Sequence, residues 1–299
     1  MKVLLSGASG FVGRHALQAL QAQGIAVAAI GRQRPPGVDA DAFIQADLLD
    51  AGDHTDAIAH LAPTHLLHLA WYAEHGKFWD APVNLRWVDA SVRLAEAFCA
   101  AGGRHIVAAG TCAEYAWDGE VPLDERSGLL EPASLYGTCK DAARRLLQAL
   151  CRHAGVGLGW ARIFFPYGPG EPPRKLAPSL LDALQGRIAP FAVNAAARRD
   201  FLHVEDVADA LLTLLQADAS GAFNISSGHS TALPDMVRAA AAATGTDPAA
   251  LLALATPRAH EPAEIGGIPA GLHALGWRPR IALEHGLAAM AAQAGGGHD

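Results

Sequence analysis

The sequence has no block of basic residues and no apolar run long enough to cross a bilayer. Its 299 residues include 23 Lys and Arg against 30 Asp and Glu, for a formal net charge of −7. Because nucleic acids and anionic membranes attract clustered positive charge, this balance argues against both as partners. A strand-like run begins at Lys2, which leaves no room for a secretory signal peptide. We therefore expect a cytoplasmic protein.

Cysteine is also scarce. The four residues, Cys99, Cys112, Cys139 and Cys151, show neither CxxC nor zinc-type spacing. Such residues are typical of buried thiols in a reducing compartment, rather than of disulfides or a metal centre. Cys112 lies next to a candidate catalytic residue, but nothing in the sequence makes it a nucleophile.

Hydrophobic residues, in contrast, make up 51% of the chain, and short apolar runs alternate with amphipathic stretches. The strand-like runs are residues 2–6, 26–30, 65–69, 105–109 and 158–164. The helical stretches between them are residues 11–23, 53–61, 82–101 and 134–154. This alternation predicts an α/β fold with a doubly wound parallel sheet and right-handed crossovers.

The pattern changes after Phe165. Residues 166–173 are rich in proline and glycine, and they predict no regular element. Further on, residues 204–216 predict a helix, and residues 222–225 predict a strand that returns to the main sheet. We expect a first domain over residues 1–165, to which residues 201–230 return. A smaller, interleaved lobe occupies mainly residues 166–299.

Three glycines, Gly7, Gly10 and Gly13, follow the first strand directly and open the first helix. Glycine permits the tight turn and the close approach of the backbone to a pyrophosphate. The helix N-terminus then supplies free N–H groups for the phosphates. We predict a dinucleotide site that also includes the other residues of this loop, Ser9, Phe11 and Val12.

The end of the second strand bears on which dinucleotide binds. An NAD site usually offers a carboxylate there to the ribose 2′-hydroxyl, whereas this chain has Arg32 and Arg34. Because Arg pairs with a 2′-phosphate, NADP(H) is favoured and NAD(H) stays possible. Both arginines are alternatively solvated loop residues, or Arg32 stacks on adenine in either cofactor. Asp47, followed by Leu48, is placed to accept from the adenine amine, unless it is a plain turn residue.

Tyr136 and Lys140 have a YxxxK spacing, which places the phenol and the ammonium on one helix face. A free Tyr titrates near ~10, and a neighbouring cation lowers that pKa, so Tyr136 is a candidate acid/base group. Alone the spacing is weak, since most such pairs lie on ordinary helix surfaces. Beside the glycine loop it indicates a nicotinamide-linked reaction.

The chain resembles the extended short-chain dehydrogenase/reductases, and within them the nucleotide-sugar branch. The motifs are GASGFVG at residues 7–13, HLAW at 68–71, GTCAEY at 110–115, YGTCK at 136–140 and RDFLHV at 199–204. The resemblance extends from Lys2 to the LGW segment at residues 275–277. It implies a Rossmann-like sheet, with the interleaved lobe binding the substrate.

The resemblance implies roles at matching positions. Tyr136 matches the general acid/base, Lys140 the lysine that holds the nicotinamide ribose, and Thr111 the residue that hydrogen-bonds the reacting sugar oxygen. The HLAW match places Leu69, Ala70 and Trp71 against the cofactor.

Further matches concern the substrate. They are Trp71, Cys112 and Ala113 around the sugar, Asn84 as a residue that structures the site, and Arg199 and Arg258 at the diphosphate of the sugar nucleotide. A salt bridge from Arg199 to Asp200 or Asp206 is the competing interpretation. The loop after residue 70 carries Trp71 and Trp79, which either roof the substrate pocket or pack between lobes. His75 in this loop is a second acid/base candidate or, more simply, an exposed side chain.

Departures from the family pattern bear on the reaction. Sugar-nucleotide 4,6-dehydratases carry an Asp-Glu pair where this chain has Cys112 and Ala113, so dehydration is not expected. The remaining interpretations are a 4-ketoreductase, which consumes NADPH, and a 4-epimerase, which retains NAD. The pair Phe165-Pro166 replaces an Asn found in epimerases, and with Arg32 it favours the ketoreductase. A non-catalytic dinucleotide sensor is a third possibility. Apolar faces on helices 82–101 and 134–154 predict a homodimer.

Overall fold

The computed structural model describes residues 1–117 and 122–295. Seven strands form the main sheet. They are β1 (Lys2–Ser6), β2 (Ala26–Gly31), β3 (Phe43–Gln45), β4 (His65–His68), β5 (His105–Thr111), β6 (Gly157–Ile163) and β10 (Gly221–Ile225). Their order across the sheet is β10-β6-β5-β4-β1-β2-β3. Every pairing is parallel, which confirms the predicted doubly wound fold.

Helices cover both faces of this sheet. On one face lie α1 (Phe11–Ala22) and α6 (Val204–Gln216). On the other lie α2 (Thr55–Leu61), α3 (Val83–Ala100) and α4 (Leu135–Ala154). Successive strand residues point to opposite faces, so Val3 and Leu5 belong to the first core and Leu4 to the second. A sheet buried on both sides requires apolar residues at consecutive positions, as these short runs have.

The smaller lobe is built from short elements. Its strands are β7 (Phe165–Tyr167), β8 (Arg198–Arg199), β9 (Phe201–His203), β11 (Thr231–Ala232) and β12 (Glu264–Ile265). Its helices are α5 (Leu176–Leu184), α7 (Leu233–Thr244), α8 (Ala249–Ala253), α9 (Ala270–Ala274) and α10 (Leu283–Gly295). A third apolar core lies among α5, α7 and α10. The strand β10 follows elements of the smaller lobe along the chain but pairs with β6 in the main sheet. The domain boundary near residue 165 stays a prediction.

One local expectation is wrong. Residues 166–173 do not lack regular structure throughout, because Pro166 lies within β7, which pairs in parallel with β9. In a parallel ladder only alternate residues donate to a given neighbour, so the missing N–H of Pro166 costs this pairing nothing. The peptide N–H of Phe165 donates to the Asp200 carbonyl oxygen at 3.3 Å. Irregular chain follows from Gly168.

The carboxyl ends of parallel strands meet at one sheet edge, where sites in such folds form. Here that edge collects the loops after β1, β4 and β5, and the start of β7. Among the described residues, no helix has the length and hydropathy needed to cross a membrane.

Candidate active site

The glycine loop leaves no room for side chains. Gly7 has a φ of +75°, and a Cβ there would lie 2.6 Å from the Ala70 nitrogen. A Cβ on Gly13 would collide with the Gly7 carbonyl oxygen, which accepts from the Gly10 N–H at 3.0 Å. The first turn of α1 holds no acidic residue. Its free N–H groups therefore form a cradle that suits the pyrophosphate of a dinucleotide.

A buried histidine on β4 supports the glycine loop through hydrogen bonds. His68 Nδ1 lies 2.7 Å from Ser6 Oγ, and its Nε2 lies 2.8 Å from Ser91 Oγ. Because Ser91 Oγ already donates to the Trp87 carbonyl, it accepts from His68, which places the ring proton on Nε2. Ser6 then donates to Nδ1 and accepts from the Ala70 N–H at 3.3 Å. Burial, and next the charge of Lys140, lowers the pKa of His68 to about 3, so the ring is neutral.

The end of β2 carries the two arginines. Both side chains are exposed, and Arg34 Nη1 also donates to the Val38 carbonyl oxygen. Either guanidinium is therefore accessible to a 2′-phosphate or an adenine ring at this end of β2. Asp47 Oδ1 accepts from the Leu49 N–H at 3.0 Å, which is a turn contact, and Leu48 beside it is buried. A bond from Asp47 to the adenine amine stays a prediction.

Tyr136 lies in the first turn of α4, which Ser134 caps by accepting from the Gly137 N–H at 3.1 Å. Aromatic rings enclose its phenol. The ring centroids of Phe78 and Trp79 lie 4.9 and 5.8 Å from that of Tyr136, both edge-on. Burial raises the pKa of Tyr136, and hydrogen bonding with the Thr111 side chain opposes that rise. The phenol is therefore protonated at neutral pH.

Lys140 lies one turn further along α4 and is buried. Its Nζ donates to the Ala109 carbonyl oxygen at 2.8 Å and lies 3.8 Å from the ring centroid of Trp71. Burial lowers the pKa of Lys140 to about 7. The expectation that its charge lowers the pKa of Tyr136 is wrong. Desolvation dominates the pKa of Tyr136, and Lys140 is not among the groups that shift it.

Thr111 ends β5 and begins a single 3₁₀ turn over Cys112–Glu114. The Thr111 hydroxyl accepts from the Ala113 N–H at 3.2 Å. The same side chain hydrogen-bonds with Tyr136, so the two residues meet at the sheet edge. Cys112 is buried, and burial raises the pKa of its thiol to about 12, which makes it a poor nucleophile. Ala113 is also buried and has no functional group, so the turn supplies no acid/base pair for dehydration.

The loop over residues 71–81 covers Tyr136. Asn84 holds this loop: its Oδ1 accepts from Trp71 Nε1 at 2.8 Å, and its Nδ2 donates to the carbonyl oxygens of Phe78 and Ala81 at 2.7 and 3.0 Å. With its side chain fully buried, Asn84 acts on the site through the loop. The backbone oxygen of Trp79 in this loop also accepts from the Tyr136 N–H at 2.9 Å.

The same loop meets the smaller lobe. The Lys175 Nζ lies 5.5 Å from the ring centroid of Phe78, and burial lowers the pKa of this lysine. Glu171 nearby has its pKa raised to about 8 by burial. His75 is largely exposed. Its pKa is lowered first by the partial burial of its ring and then by the charges of Lys175 and Arg174. His75 therefore lies outside the enclosed surface around Tyr136.

Two arginines of the smaller lobe lie around one carboxylate. Arg258 Nη1 lies 2.9 Å from Glu261 Oε1, and both Arg258 and Arg199 lower the pKa of Glu261. Arg199 donates to the Pro262 carbonyl oxygen at 3.0 Å and lies 5.8 Å from the ring centroid of Phe165. Neither predicted salt-bridge partner holds Arg199. Asp200 instead accepts from residues 227, 228 and 267, and Asp206 accepts from the backbone at 280 and 281.

Sequence patterns missed several residues that shape this site. Ser6 and His68 support the glycine loop, and Glu114 and Arg162 lie beneath Thr111. His68 and Glu114 lie inside the motifs that carry the family resemblance, but no pattern in the sequence indicated which groups their side chains contact. Their partners come from other strands, and no local spacing predicts such pairs.

Comparisons with known proteins agree with this geometry. The family model described as the NAD dependent epimerase/dehydratase family matches residues 3–226. The UDP-glucose 4-epimerase of Mycolicibacterium smegmatis is 28% identical over 328 residues, covering 96% of this chain and 96% of that protein.

Solved structures are similar over the whole chain. The Thermus thermophilus UDP-glucose 4-epimerase in complex with NAD has a TM-score of 0.83 and 25% identity, covering 99% of this chain and 100% of the other. MoeE5 in complex with UDP-glucose and NAD has a TM-score of 0.81 and 27% identity, covering 98% of both. The family match includes the glycine loop, Thr111, Tyr136 and Lys140. The chain belongs to the NAD-dependent epimerase/dehydratase family.

Proposed function

We propose that the chain is an enzyme that moves a hydride at C4 of a nucleotide-linked sugar, and that it works as a 4-epimerase. The observation that carries this proposal is the convergence of Thr111, Tyr136 and Lys140 beside a glycine cradle. Arg199 and Arg258 lie together on the smaller lobe. The epimerase has the support of relatives that act as UDP-glucose 4-epimerases and of solved relatives that bind NAD.

The dinucleotide, when bound in the cradle, supplies the hydride acceptor and donor. Tyr136 exchanges the proton of the sugar 4-oxygen, and Thr111 donates a hydrogen bond to that oxygen as its charge develops. Lys140, with a pKa of about 7, is partly charged at neutral pH and holds the ribose edge next to the phenol. In a 4-epimerase the C4–H bond breaks on one face of the sugar and re-forms on the other. The intermediate ketone keeps its oxygen at Tyr136.

The diphosphate of a nucleotide sugar carries negative charge, which requires cations in the smaller lobe. Arg258 Nη2 donates to the Ala192 carbonyl oxygen, so part of its guanidinium is fixed before any ligand binds. Arg199 lies above the Phe165 ring, and its charge acts both on Cys112 and on Glu261, the carboxylate that pairs with Arg258. This arrangement favours a pose with the sugar toward Tyr136 and the nucleotide toward the smaller lobe.

The second candidate is a 4-ketoreductase that consumes NADPH. Two features favour it: Arg32 is exposed at the end of β2 with no carboxylate beside it, and the chain has Phe165-Pro166 where the family resemblance implies an Asn for epimerases. The raised pKa of Tyr136 also suits a proton donor. The cofactor is accordingly NAD(H) in the first candidate and NADP(H) in the second.

Turnover without added reductant separates the candidates. Purified protein is incubated with UDP-glucose, and product sugars are followed by ¹H NMR while the bound dinucleotide is released by heat and identified. The epimerase predicts UDP-galactose, NAD in the released fraction and no net consumption of cofactor. The Tyr136→Phe variant should lose turnover by about 10²-fold or more and keep its dinucleotide.

A parallel assay supplies NADPH or NADH with an NDP-4-keto-6-deoxyhexose and follows absorbance at the nicotinamide band. Stoichiometric consumption of NADPH, with no interconversion of UDP-hexoses, would replace the epimerase by the ketoreductase. Dinucleotide binding without turnover across a panel of nucleotide sugars in both assays would instead indicate a sensor, and the catalytic roles given to Thr111 and Tyr136 would be wrong.

A further inference from the structure

A charged pair lies buried beneath Thr111, away from the substrate side. Glu114 is fully buried and Arg162 is 2% exposed, and Arg162 Nε lies 2.8 Å from Glu114 Oε2. Two such charges lose much hydration energy on burial, and their attraction does not reliably restore it. Their contacts indicate what the pair does for the site.

One oxygen of the Glu114 carboxylate holds the backbone of Thr111. Oε1 accepts from the Thr111 N–H at 2.8 Å and from Trp160 Nε1 at 2.9 Å. The Thr111 hydroxyl in turn accepts from the Ala113 N–H. The carboxylate thereby sets the position from which the Thr111 hydroxyl meets Tyr136.

Arg162 completes the pair and ties it to more distant parts of the chain. Its Nη1 donates to Tyr115 Oη at 2.9 Å, and Tyr115 Oη donates to Asn224 Oδ1 at 2.9 Å. Asn224 Nδ2 donates to the carbonyl oxygens of Leu123 and Ile268 at 3.0 and 3.2 Å. Each of these members has a hydrogen-bond partner, so the pair is part of a connected buried network.

The Glu114 charge also acts on the catalytic groups. It raises the pKa of Lys140, against the larger effect of burial, and it adds to the rise in the pKa of Tyr136. Other ionisable groups face this set from the neighbouring elements. They are Arg162 on β6, Cys112 and Tyr115 beside Glu114, Glu125 near Tyr115, and His68 at the end of β4.

We propose that Glu114 is a positioning residue for this site: its carboxylate fixes Thr111 and places a negative charge beneath Tyr136 and Lys140. Arg162 holds that carboxylate in place through their ion pair. The inference rests on the proposed roles of Thr111, Tyr136 and Lys140, and it concerns a residue that never touches substrate.

Two substitutions separate position from charge. Glu114→Gln keeps an oxygen for the Thr111 N–H and removes the charge, so the protonation of Lys140 should change. Glu114→Asp keeps the charge and draws the carboxylate back from Thr111. It should lower kcat about tenfold or more, leave KM nearly unchanged and leave Lys140 as it was.

NMR of the lysine side chains measures the protonation of Lys140 without requiring turnover. The chain has only four lysines, Lys2, Lys77, Lys140 and Lys175, so a ¹³Cε-lysine spectrum is simple, and Lys140→Met assigns its signal. In the native protein Lys140 should titrate at about 7. In Glu114→Gln its midpoint should fall by about one pH unit, and the pH profile of kcat should move to lower pH with it.

The matched control is Asp141→Asn, which removes the ion pairs to Arg144 and Arg145 on the same helix and should leave the Lys140 midpoint unchanged. If Glu114→Gln does not fold because Arg162 is left unpaired, Glu114→Gln/Arg162→Met removes both charges, and its downward shift should be smaller because the Arg162 cation, which opposes the protonation of Lys140, is lost as well. A Lys140 midpoint equal to that of the native protein in the folded variant would overturn the proposal. Since the titration needs no turnover, an inactive native enzyme would refute the proposed function separately.

Discussion

Single side chains in this site owe their protonation to burial more than to their neighbours. Desolvation is the largest cause of the shifted pKa at Tyr136, Lys140, His68 and Cys112 alike. A charge loses more hydration energy in an enclosed site than one distant neighbour returns, so each group shifts toward its neutral form. The YxxxK spacing predicts which groups meet but not how deeply they are buried. The predicted direction of the Tyr136 shift is wrong for that reason.

At His68, burial predicts a pH-dependent stability. The folded pKa of about 3 lies below the value of ~6.5 for a free histidine, so below ~6.5 the unfolded chain binds a proton that the folded chain excludes. The free energy of unfolding should therefore fall as pH falls from ~6.5 toward 3, by about 3 to 5 kcal/mol from this group. His68→Gln should remove that part of the slope.

Urea unfolding at pH 7 and at pH 4.5 measures the effect in both proteins. The matched control is His229→Gln, at an exposed position, which should keep the native difference between the two pH values. A His68→Gln variant that loses as much stability on acidification as the native protein would contradict the assignment.

At the scale of elements, the 71–81 loop shows how a segment without regular structure becomes part of a site. Three hydrogen bonds from Asn84 at the start of α3 determine its course, and it places Phe78 and Trp79 edge-on to Tyr136. The aromatic residues in the sequence indicated a roof over the pocket. Their packing on Tyr136 depends on Asn84, which local spacing does not connect to them.

We expect Asn84→Ala to loosen this loop. The change removes three buried hydrogen bonds, each worth about 1 kcal/mol, so the free energy of unfolding should fall by about 2 to 4 kcal/mol. Because the loop covers Tyr136 and not the glycine cradle, kcat should fall while the Kd of the dinucleotide stays nearly constant. Thermal unfolding, steady-state kinetics and calorimetric titration check these three quantities.

Glu96→Ala provides the comparison, since Glu96 lies exposed on the same helix. Its stability and kcat should stay close to those of the native protein. Equal losses in both variants would mean that α3, rather than the loop, is what Asn84 supports.

For the whole molecule, exposed apolar residues on α3 and α4 predict a homodimer. Leu85 on α3 and Leu146 on α4 are 59% and 49% exposed, and the two helices pack against each other. Large apolar side chains left in water on adjacent helices are typical of an interface. Sedimentation equilibrium should give about twice the monomer mass of 31.1 kDa.

Leu85→Glu combined with Leu146→Glu should convert that dimer to the monomer, since a buried unpaired carboxylate in an interface is costly. The equivalent change at Leu254, 43% exposed at the end of α8, should leave the dimer intact. A monomer mass for the native protein would remove the prediction altogether.

Local patterns were sufficient to predict the parallel sheet, the glycine cradle and the Tyr136–Lys140 helix face, because each depends on periodicity or on spacing within a few residues. The strand at Phe165–Tyr167 was missed because its pairing with β9 tolerates a proline that local rules exclude. The role of Glu114 was missed for a related reason, since its partner Arg162 lies on another strand. The structuring role that the resemblance implied for Asn84 fits its bonds to the 71–81 loop, but no local pattern predicts the course of that loop.

By itself, then, the sequence determined the family, the cofactor loop and the residues proposed to exchange the proton. Only the tertiary structure decided the protonation of those residues, the closure of the 71–81 loop over them and the charged pair beneath Thr111. The physical reason is that burial and hydrogen-bond partners are set by strands and helices brought together from distant positions. Spacing along the chain predicts which residues meet at the site, and the packing around these residues sets their pKa values.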